Sequence, residues 1–317
     1  MPEPEGELRF DPLTREWVNI VGSRQTRPNL PASGCPFCVG GLEAPEPYDV
    51  RWFPNRWPAY ASGDPVDFVA AQAAGTTTVP AVGACEVVLF SPDHDESLST
   101  LPLGQVRKIV DLWAERTREL LARAEVEYVH VFENRGRQVG ATIDHPHGQI
   151  YGYPFVPPAP ASEAVIARAY GCAICAEVET ELDSEARVVT TRGDWVAWVP
   201  YASGYPYGLR IAPRAHHGSL PALDDASRDD LAAVLVDALS RYDRLWPSTA
   251  PTYRFPYLLW FHQAPAAGGD EWHLHAHVAP PLRGPDVARY VASAELGSGT
   301  LSNPIVPEAA ARALRDA

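Results

Sequence analysis

The chain has 317 residues, 46% of them hydrophobic and 10% aromatic, which is enough for one large core or two medium ones. Its formal net charge of −14 disfavours nucleic acid and anionic membranes as partners, because such a surface repels both. The apolar runs are too short to span a bilayer, and the first residues lack the basic and apolar regions of a signal peptide. We therefore expect a cytoplasmic enzyme.

The first half shows a cysteine pair, then strands and a helix, then a histidine-rich segment. Apolar residues at helical spacing indicate the helix, and alternation indicates the strand before the histidines. In chain order the predicted elements are the pair Cys35 and Cys38, a strand over 86–90 that leads to His94, a helix over 104–123, a strand over 126–132 and the segment His145-Pro146-His147-Gly148-Gln149.

The second half repeats this order, and the unequal offsets indicate insertions within a duplicated unit. Its predicted elements are the pair Cys172 and Cys175, strands over 195–199 and 208–212 that lead to His216 and His217, a helix over 226–245, a strand over 257–262 and the segment His273-Leu274-His275-Ala276-His277. A Pro-rich run over 155–160 is the natural linker. We predict two α+β halves, 1–156 and 157–317, with long helices covering the sheet and a short surface helix from about 308.

Four of the five cysteines form the two Cys-x-x-Cys pairs, and Cys85 is expected to be an ordinary packing residue. Without an export signal, disulfides are disfavoured, which leaves metal binding or redox chemistry. The first pair follows loop residues rather than the strand of a redox motif, so zinc is favoured. Two thiolates and two imidazoles form a closed tetrahedral shell. The predicted structural zinc ligands are Cys35, Cys38, His94 and His145, although His94 could instead cap the following loop.

The side chains of His145, His147 and Gln149 would point to one face of an extended strand. A neutral imidazole at position 147 can attack phosphorus and form a covalent nucleotidyl-histidine, provided that its other ring nitrogen is protonated and held. A backbone carbonyl in the tight His-Pro-His segment is a candidate to hold that proton. The alternative is that His147 is a further metal ligand or a core residue.

Several strings of this sequence resemble one known family. They are Phe132-Glu133-Asn134, His145-Pro146-His147-Gly148-Gln149-Ile150, Ser91-Pro92-Asp93-His94 and Trp272-His273-Leu274-His275-Ala276-His277. They resemble the galactose-1-phosphate uridylyltransferases, a branch of the histidine-triad superfamily, and the likeness runs from Asp11 to at least Glu295. It implies duplicated histidine-triad-like halves with a mainly antiparallel sheet (a half-barrel), covering helices, and a homodimer with shared active sites.

The resemblance implies a ping-pong reaction. His147 would attack the α-phosphorus of UDP-glucose, release glucose 1-phosphate and hold a uridylyl group, which galactose 1-phosphate would then collect. In the wider superfamily the third ladder position is histidine and water completes a hydrolysis, whereas the transferases have glutamine, here Gln149. An amide can donate a hydrogen bond to a phosphoryl oxygen but cannot ionise, so Gln149 favours transfer over hydrolysis.

The resemblance also implies which residues contact the substrates. Two arginines near the N-terminus would reach phosphates from the partner subunit, since a guanidinium suits phosphate. Three residues in the middle would line the nucleoside and phosphate pocket, and three in the segment 287–295 would contact the sugar. These residues are, in chain order, Arg24, Arg27, Asn55, Asn134, Gly140, Arg289, Tyr290 and Glu295.

The ligands of a second metal site stay open between two sets that share no residue. One set repeats the first half, and the other follows a family pattern that includes a carboxylate. They are Cys172, Cys175, His216 (or His217) and His273, against Glu163, His262, His275 and His277. We favour the cysteine set, and we expect a structural site because this half lacks His-Pro-His-Gly-Gln.

Other functions compete with uridylyl transfer. Arg56 and Ala294 stand where the family often has an acidic residue and a tyrosine, which keeps open a nucleotide-sugar phosphorylase or adenylyltransferase of the ADP-glucose type. A nucleotide hydrolase would call for a histidine at position 149. A non-enzymatic zinc module would leave the order of His145, His147 and Gln149 without a purpose.

Overall fold

The computed structural model describes residues 6–26, 34–246 and 254–317. Its strands are β1 (Glu7–Asp11), β2 (Glu16–Ile20), β3 (Arg51–Pro54), β4 (Thr78–Pro80), β5 (Ala84–Leu89), β6 (Tyr128–Arg135), β7 (His147–Tyr153), β8 (Val188–Arg192), β9 (Trp195–Trp198), β10 (Leu209–Pro213), β11 (Tyr257–His262), β12 (His275–Ala279), β13 (Leu282–Gly284) and β14 (Val287–Ala288). Its α-helices are α1 (Phe68–Ala73), α2 (Leu103–Leu121), α3 (Pro158–Tyr170), α4 (Ala173–Ser184), α5 (Asp225–Leu245), α6 (Ser293–Ser298) and α7 (Pro307–Asp316).

Nine strands form one open sheet in the order β3-β5-β7-β6-β11-β12-β10-β9-β8, and every neighbouring pair is antiparallel. The first half supplies the four strands up to β6, and the second half supplies the five from β11. Outward from the central β6–β11 pair, the series β6, β7, β5, β3 is matched by β11, β12, β10, β9. The predicted antiparallel α+β fold of duplicated halves is confirmed.

The central strand pair relates the two halves by an approximate two-fold axis. Phe132 on β6 lies opposite Trp260 on β11. Trp260 follows Phe132 by 128 positions, and His273 follows His145 by the same number. Because equivalent residues of the two copies face each other here, the axis passes through the Phe132–Trp260 pair.

The two long helices cover one face of the sheet and contact each other. Helix α2 buries Val106, Ile109 and Trp113, whose spacing predicted it, in the main core. Helix α5 begins after Asp224, whose carboxylate accepts a hydrogen bond from the backbone N–H of Ser227 at 2.8 Å. The prediction that both are core elements is confirmed.

Strand alternation brings the ladder residues to the opposite face. On β7, Gly148 and Ile150 are buried toward the helices, whereas His147, Gln149 and Tyr151 are half-buried on the other side. The second ladder, on β12, lies on this same face, because His277 is opposite Trp260 and Trp260 is opposite Phe132, the partner of Gln149. One sheet face therefore carries both ladders.

Smaller elements surround the main sheet. Strands β2, β1 and β4 form a separate three-stranded sheet. The tail forms α7, as predicted, and buries Ala310, Ala311 and Leu314. The Pro-rich run is only partly a linker, because α3 begins at Pro158, and proline is tolerated in the first turn of a helix. Among the described residues, no helix has the length and apolar character needed to cross a membrane.

Candidate functional site

His147 begins β7 and has one ring nitrogen held by the backbone. Its Nδ1 lies 2.7 Å from the carbonyl oxygen of His145, so Nδ1–H donates to that oxygen. This bond selects the tautomer whose lone pair is on Nε2, the nitrogen that a phosphorus centre would need. The ring of Phe37 packs against the His147 ring at a centroid distance of 5.1 Å. The imidazole is therefore oriented by both its chain neighbour and an aromatic edge.

A cavity of about 440 Å³ opens beside His147. Of the predicted site residues, His94, Asn134, His145 and His147 line it. Three arginines also line it, Arg135, Arg137 and Arg254, and the sequence pattern had not singled them out. A guanidinium group suits the phosphate groups of a nucleotide sugar, and the Arg137 side chain is 66% exposed, whereas the Arg135 guanidinium pairs with Asp243 at 2.7 Å. Arg135 ends β6 and Arg137 follows in a 3-10 turn, while Arg254 comes from a segment more than 100 positions away, and no spacing in the sequence brings the three together.

The first predicted ligand set converges. The ligand atoms of Cys35, Cys38, His94 and His145 all lie within 4.8 Å of one another. Sγ of Cys38 is 3.5 Å from Nδ1 of His94 and 3.6 Å from Nδ1 of His145. Tetrahedral zinc, with bonds of about 2.3 Å to sulfur and about 2.0 Å to nitrogen, calls for sulfur–nitrogen distances of about 3.5 Å. The residues therefore fit zinc.

The electrostatics of this set also suit a cation. Burial lowers the pKa of His145 to about 4, so its imidazole is neutral, as a ligand must be. Burial, together with the nearby Cys35 thiol, raises the pKa of Cys38 to about 11. A bound cation would supply the positive charge that stabilises the thiolates.

The cysteine set of the second half converges in the same way. Sγ of Cys175 is 3.3 Å from Nδ1 of both His216 and His273, and Sγ of Cys172 is 3.4 Å from Nδ1 of His273. The histidine that joins this set is thus His216, while His217 contributes its backbone carbonyl to Leu274. Burial lowers the pKa of His273 to about 4 and keeps it neutral. These residues also fit zinc.

The carboxylate set converges as well, so the fold does not choose between the two. Glu163 on α3 lies 2.9 Å from Nδ1 of His262 and 3.6 Å from Nε2 of His275. Although burial opposes its ionisation, the hydrogen bonds with these histidines lower the pKa of Glu163. Nε2 of His277 is buried with no hydrogen-bond partner among the described residues. One carboxylate and three imidazoles form a donor set that a divalent transition metal fits.

The second ladder repeats the geometry of the first. Nδ1 of His275 lies 2.7 Å from the carbonyl oxygen of His273, as Nδ1 of His147 does from that of His145. However, Nε2 of His275 faces Glu163 rather than an arginine-lined cavity. The same local backbone therefore presents a candidate metal ligand in one half and a candidate nucleophile in the other.

The predicted nucleoside and phosphate contacts have local partners. Asn55 follows β3, and its side-chain oxygen accepts the backbone N–H of Trp57 at 2.9 Å. Arg56 pairs with Glu43 at 2.8 Å. Arg24 lies in a 3-10 turn, with its guanidinium 3.4 Å from the hydroxyl of Tyr151 on the ladder face. Gly140 ends a short 3-10 turn with φ of 84°, a left-handed conformation that favours glycine. Arg27 lies outside the described residues.

The predicted sugar contacts lie near the C-terminus. Arg289 and Glu295 bond to each other at 2.6 Å, and Glu295 also accepts the backbone N–H groups of Ala292 and Ser302. Tyr290 is 82% exposed. None of the three lines the cavity beside His147 within the described chain.

Tyr48 lies at the first ligand set and was not found from the sequence. Its hydroxyl oxygen is 2.8 Å from Nε2 of His145 and 2.8 Å from the carbonyl oxygens of Phe37 and Ser91. Tyr48 sits in an irregular loop between prolines and acidic residues, where no spacing points to a partner 97 positions away.

Two family models match this chain. The model described as galactose-1-phosphate uridyl transferase, N-terminal domain, matches residues 39–157, and that of the C-terminal domain matches residues 168–317. A galactose-1-phosphate uridylyltransferase of Thermotoga maritima is 38% identical over 319 residues, covering 98% of this chain and 98% of the relative. The chain belongs to the galactose-1-phosphate uridylyltransferase family.

Solved structures agree with this family. The chain superposes on a structure described as uridylyltransferase with a TM-score of 0.84 and 30% identity, covering 98% of this chain and 97% of the other. An ADP-glucose phosphorylase from Arabidopsis thaliana with bound ADP-glucose gives a TM-score of 0.73 and 25% identity, covering 98% and 99%. Membership of this family makes the chain an enzyme, a nucleotidyltransferase of galactose metabolism.

Proposed function

We propose that this enzyme transfers a uridylyl group from UDP-glucose to galactose 1-phosphate through a covalent intermediate on His147. The bond from Nδ1–H of His147 to the carbonyl oxygen of His145, at 2.7 Å, is the observation that carries the proposal. It leaves the lone pair on Nε2, as nucleophilic attack on phosphorus requires. Relatives named galactose-1-phosphate uridylyltransferase, at 38% and 34% identity, support the choice of substrates.

The reaction has two displacements at the same phosphorus. Nε2 of His147 bonds to the α-phosphorus of UDP-glucose while the bond to the departing glucose 1-phosphate breaks. A phosphate oxygen of galactose 1-phosphate then bonds to that phosphorus, the bond to Nε2 breaks, and UDP-galactose leaves. Gln149, two residues along β7 on the same face, donates an amide hydrogen bond to a phosphoryl oxygen in both steps.

The metal centres hold this arrangement in place. Zinc at the first ligand set would neutralise the thiolates and fix His145, whose carbonyl holds His147. We assign zinc also to Cys172, Cys175, His216 and His273. Since the carboxylate set shares no ligand with it, both sets can be filled in one chain. All three sites are structural in this proposal.

The active unit in this proposal is a homodimer with shared sites, each chain being built of the halves 1–156 and 157–317. Two observations support it: Tyr290 is 82% exposed, and the sugar-contacting segment does not line its own chain's cavity. In a dimer, that segment and the arginines Arg24 and Arg27 would complete the partner's site. A monomer mass in sedimentation equilibrium under assay conditions would contradict this.

A second candidate is a phosphorylase of ADP-glucose. An ADP-glucose phosphorylase of Arabidopsis thaliana is 27% identical over 98% of this chain. Arg56 stands where the uridylyltransferases often have an acidic residue, and it pairs with Glu43 at 2.8 Å. The identity of the nucleoside is therefore less well supported than the role of His147.

Labelling without an acceptor separates these candidates. The protein is incubated with UDP-glucose or ADP-glucose carrying a labelled α-phosphate, and acid-labile label on His147 is located by peptide mapping. We expect label from UDP-glucose that galactose 1-phosphate discharges. Label only from ADP-glucose, discharged by inorganic phosphate, would establish the second candidate instead.

Two histidine variants test the role of His147 itself. His147→Ala should abolish labelling while keeping the zinc content, because His147 belongs to no ligand set. His217→Ala is the matched control, since it too removes a histidine outside every ligand set, and it should keep the label.

A further inference from the structure

We propose that Tyr48 is a positioning residue for the first metal centre and, through it, for the nucleophile His147. The inference rests on the proposed function for its link to catalysis, but its link to the metal stands on the geometry of the residues alone. No hydroxyl of this kind serves the second cysteine centre within the described residues, which provides an internal comparison.

The Tyr48 hydroxyl joins every segment that supplies a ligand to the first centre. Its oxygen is 2.8 Å from the carbonyl oxygen of Phe37, which lies between the two ligand cysteines. It is 2.8 Å from the carbonyl oxygen of Ser91, three residues before His94. It is also 2.8 Å from Nε2 of the ligand His145. One oxygen atom thus bridges the three segments that bring four ligands together.

The hydroxyl also favours the imidazole tautomer that a metal needs. Nδ1 of His145 faces the cysteine, at 3.6 Å from Sγ of Cys38, so Nε2 must carry the proton. That Nε2–H donates toward two acceptors at 2.8 Å, the carbonyl oxygen of Ser91 and the hydroxyl oxygen of Tyr48. The Tyr48 O–H in turn donates to the carbonyls. A phenylalanine at this position fills the same space but offers no acceptor.

Tyr48 is linked to His147 indirectly, through two residues that contact both of them. The first passes through His145, whose ring it contacts and whose carbonyl oxygen accepts Nδ1–H of His147 at 2.7 Å. The second passes through Phe37, whose carbonyl it bonds and whose ring lies 5.1 Å from the His147 ring. A shift of His145 or Phe37 would therefore change the direction of the nucleophilic nitrogen.

Within the described residues, no tyrosine hydroxyl contacts the histidines of the second cysteine centre. Nε2 of His273 lies 3.0 Å from the carbonyl oxygen of Pro213, the counterpart of the bond between His145 and Ser91. Nε2 of His216 lies 3.0 Å from the carbonyl oxygen of Trp272. Within the part of the chain that the structure describes, both contacts are with backbone carbonyls only. The tyrosine belongs to the half that carries the nucleophile.

The test removes only the hydroxyl, in the full-length Tyr48→Phe protein. Zinc-bound thiolates resist alkylation, so iodoacetamide labelling at buffered free zinc, read by peptide mass spectrometry, reports each centre separately. Loss of an outer hydrogen-bond partner typically weakens metal binding about 10- to 100-fold. In Tyr48→Phe, the free zinc concentration at which Cys35 and Cys38 are half-protected from alkylation should rise by about this factor. The corresponding concentration for Cys172 and Cys175 should not change.

A matched tyrosine controls for general loss of stability. Tyr242 is fully buried, whereas Tyr48 is half-buried, and Tyr242 likewise donates its hydroxyl to a carbonyl oxygen, that of Tyr207 at 2.6 Å, but it lies outside every ligand set. Tyr242→Phe should shift neither centre. Unchanged protection of Cys35 and Cys38 in Tyr48→Phe, or equal shifts at both centres, would overturn the proposal.

Kinetics at saturating zinc test the link to the nucleophile. In Tyr48→Phe the maximal rate of His147 labelling by UDP-glucose should fall while the substrate concentration for half-maximal rate stays the same, because Tyr48 lies outside the cavity lining. An unchanged rate would overturn this link. If the wild-type protein takes no label while the zinc shift at Cys35 and Cys38 is observed, the proposed function fails and the metal-positioning role stands.

Discussion

Glu133 is a buried carboxyl group on β6, directly before the cavity residue Asn134. It is 4% exposed and accepts a hydrogen bond from the hydroxyl of Tyr257 at 2.9 Å. Burial raises its pKa to about 7, although the nearby Arg135 acts in the opposite direction. The folded protein therefore binds a proton at Glu133 that the unfolded chain releases near its ordinary pKa of 4.5.

This difference makes stability depend on pH. Because the folded pKa is the higher one, the contribution of protonated Glu133 is fully present below pH 4.5 and is lost as pH rises through about 7. Each pKa unit corresponds to about 1.4 kcal/mol, so a difference of about 2.5 units changes the free energy of unfolding by at most about 4 kcal/mol. The free energy of unfolding, measured with urea between pH 5 and 8, should fall with rising pH in the wild-type protein. In Glu133→Gln this decline should be absent. The same slope in both proteins would contradict the assignment.

At the scale of single residues, the sequence identified the side chains that alternation and spacing bring together. His147 and Gln149 share a face because a strand alternates, and the two cysteine sets follow from a duplicated order of cysteines and histidines. The carboxylate set follows from the family resemblance. Tyr48 and Glu133 could not be recognised, since their roles depend on contacts between distant segments. Which of His216 and His217 joins the second set also depends on a loop conformation that no spacing specifies.

At the scale of elements, a buried ion pair links α2 to β5. Arg116 contacts the Glu86 carboxylate with two nitrogens, at 2.9 and 2.6 Å, and the two side chains are 6% and 5% exposed. The Arg116 guanidinium also stacks over the Trp52 ring of β3, 3.5 Å from its centroid. One side chain thus connects the covering helix to two strands of the first half.

Removing this arginine should destabilise the fold far more than removing a surface cation from the same helix. Arg116→Ala leaves the Glu86 charge buried without its partner, which typically costs about 3–5 kcal/mol. Lys108→Ala, the control, breaks an exposed pair with Asp49 and should cost about 0–1 kcal/mol. Urea unfolding of both variants is the measurement, and equal losses would contradict the structural role given to Arg116.

Helices and strands with a strong apolar periodicity could be predicted from the sequence. Elements whose formation depends on contacts with the rest of the fold could not. Helices α2 and α5 and strand β11 matched the sequence patterns closely because their apolar spacing reflects one buried face. The Pro-rich run was assigned to a linker because proline usually interrupts structure, yet Pro158 starts α3. The three-stranded sheet of β1, β2 and β4 is not predicted: β1 does alternate, with Leu8 and Phe10 between polar residues, but strands of three to five residues give only a short signal.

At the scale of the whole molecule, contacts across the centre bind the halves into one unit. β6 and β11 pair over four residues each, from Phe132 to Arg135 and from Tyr257 to Trp260, and α2 packs against α5. The buried Arg135 of the first half forms an ion pair with the half-buried Asp243 of the second at 2.7 Å, and the Tyr257 hydroxyl of the second half donates a hydrogen bond to Glu133 of the first. Neither half would bury its share of the core if the other were absent.

We therefore expect one cooperative unfolding transition of the zinc-loaded protein, seen alike by tryptophan fluorescence and circular dichroism. Fragments 1–156 and 157–317 expressed separately should not fold, because each exposes an unpaired central strand and an uncovered helix face. Two resolved transitions in the full chain, or a well-folded isolated fragment, would show that the halves are independent.

The two-fold axis through Phe132 and Trp260 has a consequence for how this enzyme came to have unequal halves. A contact in which equivalent residues face each other is the arrangement of a symmetric pair of separate subunits. Two copies of one gene product must carry identical sites, so any mutation appears twice. Once both copies share a single chain, each can mutate alone. The first copy could then take Gln149 at the third ladder position, while the second kept a histidine there, His277, and placed His275 next to Glu163. In a single chain, two copies of the same local geometry can therefore serve different purposes, one at the candidate nucleophile His147 and one at the ligand set of Glu163.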